Sequence, residues 1–278
     1  MSERFSLRNL IDLHADSLWQ NGSHKKSALI YLEEIAEIFP EEFTKFEADR
    51  FDFIVEALKA RNNKNSTVNR KINALTKLLR AAQTSGHIPH VPMFRRLSED
   101  HAAVRFLSKD EERLLLSVLN RKSPHYNSLA AFLIDTGVTL GEAIAIKWDH
   151  IDARTVRIPE SSMGLARTLP LTTRAYHLLE NLQGEPRGPF NSIDQHPFRV
   201  AWNEVRNNLD LADDTAIVPT VLRHTCACRL IIKGLNLHVV QKWLGNRDYK
   251  SMLKYQHLAT SDSFDLCLTA LEEWNAKR

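Results

Sequence analysis

Cysteine is scarce: Cys226, Cys228 and Cys267 are the three among 278 residues. An odd count gives no even disulfide framework, and Cys226 and Cys228 stand too close together to staple a fold, so a reducing compartment is expected. No window approaches the roughly 20 apolar residues of a membrane span, and the start Met1-Ser2-Glu3-Arg4 lacks the apolar core of a signal peptide. The expectation is a cytoplasmic, nucleoid-associated protein with no membrane partner. His224 and Cys228 share an i, i+4 spacing, but no second pair accompanies them, so neither a metal nor another cofactor is expected. No internal repeat or low-complexity segment stands out.

The most informative absence concerns one sign of charge. From Ala57 to Ser98 there is no Asp or Glu, while Lys59, Arg61, Lys64, Arg70, Lys71, Lys77, Arg80, Arg95 and Arg96 all fall there. The stretch before it compensates, with nine acids from Glu33 to Glu56, so the net charge is only +3. A chain can be nearly neutral overall and still present one basic surface to a polyanion.

A composition of 26% charged and 43% hydrophobic residues is that of a folded soluble protein, and the length suits two domains. Residues 1–98 read as wholly helical. The clearest helix has Ser66 as its expected cap, Val68, Ile72, Leu75, Leu79 and Ala82 as its apolar stripe, and Gly86 as its stop. On the opposite side Arg70, Asn73, Lys77 and Arg80 project together, a basic and hydrogen-bonding face. The two prolines of Ile88-Pro89-His90-Val91-Pro92 break the pattern. Residues 99–106 are the expected linker, and 107–278 the second domain.

That second domain opens on a capping box, Ser108 to Glu111, before an apolar helix. Helices near 129–134 and 142–148 follow. Ile151–Pro159 and Ala166–Leu171 read as a β-hairpin. Helices 221–232 and 237–244 stop at Gly234 and Gly245, and a last one near 263–274 carries Phe264, Leu266, Leu268, Leu271 and Trp274. The fold class is therefore mainly α with a small antiparallel β-sheet.

Toward the C-terminus the chain reads Leu222-Arg223-His224-Thr225, Leu244-Gly245 and Tyr255-Gln256-His257. Earlier come Asp135-Thr136-Gly137 with Glu142 and Trp148, then Arg167-Thr168-Leu169-Pro170-Leu171, and, in the first domain, Ser66 through Leu75. Taken in order, these fragments resemble the tyrosine recombinases, or phage integrases. The resemblance covers nearly the whole chain. It implies a two-domain architecture, with a helical core-binding domain and an α+β catalytic domain forming a clamp on duplex DNA. A tyrosine hydroxyl there attacks a backbone phosphate, leaving a 3′-phosphotyrosyl link, with no metal or nucleotide required.

Under that resemblance Tyr255 matches the nucleophile and Arg223 the second arginine, with His224 and His257 flanking them. Four other positions depart from the family's pattern. Thr139 stands where the first arginine is expected, with no arginine between Arg121 and Arg154 to replace it. Ser162 takes the place of the hairpin lysine, and Thr220 and Asn246 those of two histidines. Fixed cations dominate this chemistry, because the phosphorane concentrates negative charge. Losing one well-aimed donor costs roughly 10²–10³ in rate, and losing arginine and lysine together about 10⁴ or more.

The expectation is a DNA-binding, catalytically impaired member of the family, acting as regulator or architectural partner. The alternative is a working recombinase of a mobile element in which Arg247, Lys250 or Arg154 moves into the vacated charge positions. A third reading, an interaction module that no longer binds DNA, carries less weight. Expected DNA contacts are Lys64, Arg70, Lys71, Asn73, Lys77, Arg80, Arg154, Arg167, Lys242, Arg247 and Lys250. The resemblance also implies a homo-oligomer on DNA assembled through the C-terminal helix, and it admits a catalytically competent recombinase as partner.

Overall fold

The computed structural model describes residues 4–99, 103–161 and 164–258, together with Leu268 and Glu272. Its chain divides into two compact units, Met1–His101 and Ala102–Arg278.

The first unit holds four helices, α1 (Leu7–Leu18), α2 (Ser23–Ile38), α3 (Ala48–Ala60) and α4 (Asn65–Thr84). A capping box starts α1: the Ser6 hydroxyl accepts from the Asn9 N–H, and the Asn9 side chain accepts from the Ser6 N–H. The organising element is α4, which packs against the other three. Its expected stripe of Val68, Ile72, Leu75, Leu79 and Ala82 is buried, and Leu78 joins it. Truncating any of the larger members to alanine costs roughly 2–5 kcal/mol. The start of α4 differs from expectation: Lys64 occupies the cap position without a side-chain bond, and Ser66 falls inside the first turn. Gly86, at φ +78°, follows the last turn in the left-handed region and ends the helix.

The second unit contains α5 (Lys109–Lys122), α6 (Pro124–Thr136), α7 (Leu140–Ala145), a 3₁₀ turn at Trp148–His150, three strands, α8 (Thr173–Glu180), α9 (Gln195–Asn208), α10 (Thr220–Ile232), α11 (Leu237–Leu244) and a 3₁₀ segment Tyr249–Leu258. Ser108 and Glu111 form the expected capping box at α5. Six consecutive residues of α6, Leu129–Ile134, are buried, so this helix runs through the core, with α5, α8 and α10 against it.

The sheet is antiparallel, β1 (Ile151–Asp152), β2 (Thr155–Ile158) and β3 (Arg167–Pro170), with Val156 opposite Leu169. The run expected as one strand over 151–159 is thus two. A tight turn divides it, and Ala153 sits there at φ +45°, a conformation a non-glycine residue adopts only when its surroundings impose it. Inward alternation on β2 and β3 places Val156, Ile158 and Leu169 on the core. Two helices, α8 and α9, were not distinguished in the sequence pattern. The expected C-terminal stripe of Phe264, Leu266, Leu271 and Trp274 lies outside the described residues; Leu268 is helical and exposed. Among the described residues no helix is long and apolar enough to cross a membrane, and no group of three metal-ligating side chains occurs.

Candidate functional site

The site is built where α10, α11 and the 3₁₀ segment pack together. Apolar residues on α10, among them Val221, Leu222, Ala227 and Cys228, face the core and leave Arg223 and His224 half-buried at its first turn. Buried Thr225 locks this end by accepting a bond from the Leu107 N–H at 2.9 Å. Tyr255 lies almost wholly buried, at 2% exposure, with its hydroxyl 2.6 Å from His224 Nδ1. Burial pushes the phenol above its ordinary pKa. Burial, with the charges of Lys254 and Arg223, lowers the imidazole to about 4. At neutral pH both groups are uncharged, and a single hydrogen bond joins the phenol to Nδ1.

Arg223 is held by the protein itself. Its Nη1 donates to the Gly137 carbonyl at 2.5 Å, and Nη2 donates to the Leu244 carbonyl at 3.0 Å and to Asn246 Oδ1 at 2.7 Å. Three of five guanidinium donors are thereby engaged, leaving at most two for another ligand. Burial lowers its pKa, opposed by Glu142 at 3.9 Å, and the group remains a cation. Gly137 ends α6 at φ +66°, where a Cβ would meet the Leu244 side chain at 2.7 Å and Cys226 Sγ at 3.0 Å. Only a bare backbone brings that carbonyl to Arg223.

The phage integrase family model matches residues 105–262. That span takes in Arg223, His224, Asn246 and Tyr255 and is more than half of the chain. The chain belongs to the phage integrase, or tyrosine recombinase, family. Among its relatives, the tyrosine recombinase XerD of Vibrio cholerae serotype O1 is 24% identical over 297 residues, covering 94% of this chain and 95% of the relative. The shufflon-specific DNA recombinase of Escherichia coli is 26% identical over 171 residues, covering 60% of this chain and 44% of that one, so the chain spans less than half of its length. Two solved structures share the fold. The Tn1549 transposon integrase in complex with circular intermediate DNA superposes with a TM-score of 0.76 at 15% identity, covering 96% and 99% of the two chains. A lambda integrase dimer bound to a core site gives 0.75 at 15% identity, over 91% and 78%.

Within this integrase-family chain two of the four departing positions, Thr139 and Asn246, have structural employment of their own. Thr139 is the N-cap of α7: its hydroxyl accepts from the Glu142 N–H at 3.2 Å, and Glu142 Oε2 accepts from the Thr139 N–H at 2.8 Å. Asn246 is the neutral acceptor that orients Arg223, and its Nδ2 contacts Met252 Sδ at 3.2 Å. Thr220 is exposed at the first residue of α10. Ser162 lies outside the described residues.

Two expected DNA contacts are withdrawn from the surface. The Arg167 side chain is buried and bidentate on Glu142, at 2.8 and 3.0 Å, with Nε donating to the Trp243 carbonyl at 2.9 Å. Burial pushes the Glu142 carboxyl up, but the bonds from Arg167 and the Thr139 N–H more than offset this and hold it below the usual carboxylate value. Lys71 is likewise buried, its ammonium 2.5 Å from Glu34 and 2.9 Å from Asn63 Oδ1. Both are cations that the core can hold only with a partner.

Of the substitute cations, Arg247 bonds Glu160 at 2.6 Å and the Ser161 carbonyl at 2.9 Å. Arg154 lies 5.0 Å from the centroid of the Tyr176 ring. Lys242, Lys250 and His257 are exposed. The cation that does lie against Tyr255 is Lys254, its Nζ 5.1 Å from the ring centroid. Sequence reasoning missed it, and adjacency to the tyrosine was the only signal.

In the first unit the α4 face forms as expected. Arg70, Asn73, Lys77 and Arg80 are all exposed, and Lys64 stands exposed at its start. Lys77 lies 4.6 Å from the Trp19 ring centroid and donates to the Leu18 carbonyl. Between α2 and α4 an open cavity of about 490 Å³ is lined by Trp19, His24, Tyr31, Arg70, Asn73 and Lys77, a surface of aromatic faces and cations.

Proposed function

We propose that this phage integrase family chain binds duplex DNA and cleaves it slowly or not at all, serving as regulator or architectural partner at recombination-like sites. The observation that carries the reading is the state of the charge constellation. The family's first-arginine position is a threonine committed to capping α7, and Arg223 gives three of its five donors to protein acceptors.

Cleavage would need the Tyr255 oxygen to bond phosphorus as the P–O5′ bond breaks, its proton passing to His224 Nδ1 and another reaching the departing 5′ oxygen. Burial keeps the phenol protonated and the imidazole weakly basic, so the first transfer is uphill. The second lacks the hairpin lysine of the family. Neutral donors such as threonine and asparagine supply about half the strength of a charged hydrogen bond.

In this reading the first unit grips DNA through the α4 face at Arg70, Asn73, Lys77 and Arg80, joined by Lys64, and the second unit adds Lys242, Arg247, Lys250 and Arg154. Lambda integrase is seen as a DNA-bound dimer and as a tetramer on a Holliday junction. Assembly of this chain on DNA through the segment after Tyr255 is proposed by that analogy. A second reading, an active recombinase, draws on the intact 2.6 Å contact between Tyr255 and His224. The deciding experiment offers the protein nicked suicide duplexes carrying a site selected from a random pool. Salt-sensitive binding without a Tyr255–DNA adduct supports the first reading. An adduct formed at the rate of a working recombinase assayed alongside supports the second.

A further inference from the structure

Lys254 precedes Tyr255 in the 3₁₀ segment and is exposed, whereas its neighbour is buried. Its ammonium folds back over the tyrosine ring. Among the described residues it forms no ion pair with a carboxylate. Arg223 acts on it electrostatically, and Arg167 in turn on Arg223, and these two differ in how far they are compensated. Arg167 is neutralised by its bidentate bond to Glu142. Arg223 has the same carboxylate only at 3.9 Å, with carbonyls and an amide as its bonded acceptors. Among the described residues the site therefore carries positive charge that is only partly compensated on Arg223 and has no carboxylate partner on Lys254, which is exposed. Partial burial of the ammonium, and after it the charge of Arg223, pulls the lysine below its ordinary pKa. An anion bound beside them would favour the charged form of both.

We propose that Lys254 and Arg223 form a two-cation seat for the DNA backbone phosphate that Tyr255 faces, Lys254 supplying charge lost at Thr139 and Ser162. The inference deepens the DNA-binding reading above and rests on it. Displacement in line places the leaving 5′ oxygen on the far side of phosphorus from the phenol. An ammonium on the tyrosine's side therefore meets the non-bridging oxygens. Lys254 restores charge to the site and leaves the leaving-group proton donor unreplaced, so a chain that holds the phosphate well can still cut it poorly.

The test uses the full chain carrying Tyr255→Phe, which cannot cleave, and a duplex selected by its binding. That duplex is made all-phosphodiester and, in parallel, with a single neutral methylphosphonate at each central position in turn. Lys254→Met should weaken binding of the phosphodiester duplex about tenfold and lower the salt slope by about 1. Lys254→Arg should restore both. At one methylphosphonate position Lys254→Met and the parent should bind equally, because the charge the lysine meets has been removed. An unchanged slope, or an equal loss on every duplex, overturns the proposal while leaving the DNA-binding reading intact. Absence of duplex binding in the parent chain overturns both.

Discussion

Replacing Glu142 with glutamine should destabilise the second unit more than any single surface change. The carboxylate serves three groups at once: both Arg167 Nη atoms at 2.8 and 3.0 Å and the Thr139 N–H at 2.8 Å, with Arg223 3.9 Å away. An amide in its place can accept through one oxygen only. In either orientation its NH₂ faces a donor, and Arg167, whose side chain is 6% exposed, keeps its charge with no counter-ion. Breaking one partner of such a pair costs about 3–5 kcal/mol. At about 2–4 °C per kcal/mol for a unit of 150–250 residues, the melting temperature should fall by roughly 6–20 °C. Differential scanning calorimetry at pH 7 reads this directly. Glu142→Gln combined with Arg167→Met should fall short of the sum of the single losses by about 0.5–3 kcal/mol, because the second change removes the stranded charge. A loss below about 1 kcal/mol for Glu142→Gln, or strict additivity, would refute the reasoning.

Acid should destabilise the same unit. With His224 lowered to about 4 against roughly 6.5 in the unfolded chain, the unfolded state takes up the proton first, so stability is full above 6.5 and falls between there and 4, by about 3 kcal/mol. Glu142, depressed in the folded state, acts in the same direction at lower pH; urea titrations from pH 7 to 4 and an NMR titration of the His224 ring check this. Arg70→Ala with Arg80→Ala should lower the slope of log K against log salt by about 2 without a change in melting temperature, since both side chains are exposed. Thr139→Arg should cost about 1 kcal/mol through the lost α7 cap and raise any Tyr255–DNA adduct by roughly 10²–10³, measured on suicide duplexes.

The buried stripe of α4, the capping box at Ser108 and Glu111 and the stops at Gly234 and Gly245 were legible because each depends on neighbours within a turn or two of sequence. Arg223, His224 and Tyr255 were singled out on the family's spacing, and the fold brings His224 to 2.6 Å from the Tyr255 hydroxyl. What sequence could not reveal was the partner of each charge. Lys71 sits in the same acid-free run as Arg70 and looks equally available, yet one residue further along the helix turns it inward onto Glu34. Arg167 reads as a phosphate contact until Glu142, 25 residues earlier, is found against it. Thr139 reads as a loss, and the fold shows its hydroxyl holding the first turn of α7. Lys254 carries no motif at all and becomes visible only through its position over the Tyr255 ring. The strand break at Ala153 was hidden because the turn uses no glycine.

The central claim is that the site keeps its tyrosine and one arginine, and with them DNA binding, while lacking the charge for efficient cutting. Its most direct test is the accumulation of covalent Tyr255–DNA adduct on a nicked suicide duplex, timed beside a working recombinase on its own site. The account predicts salt-sensitive binding with adduct formation slower by about 10⁴ or more, or none. Adduct formation at the comparison enzyme's rate, abolished by Tyr255→Phe, would contradict it.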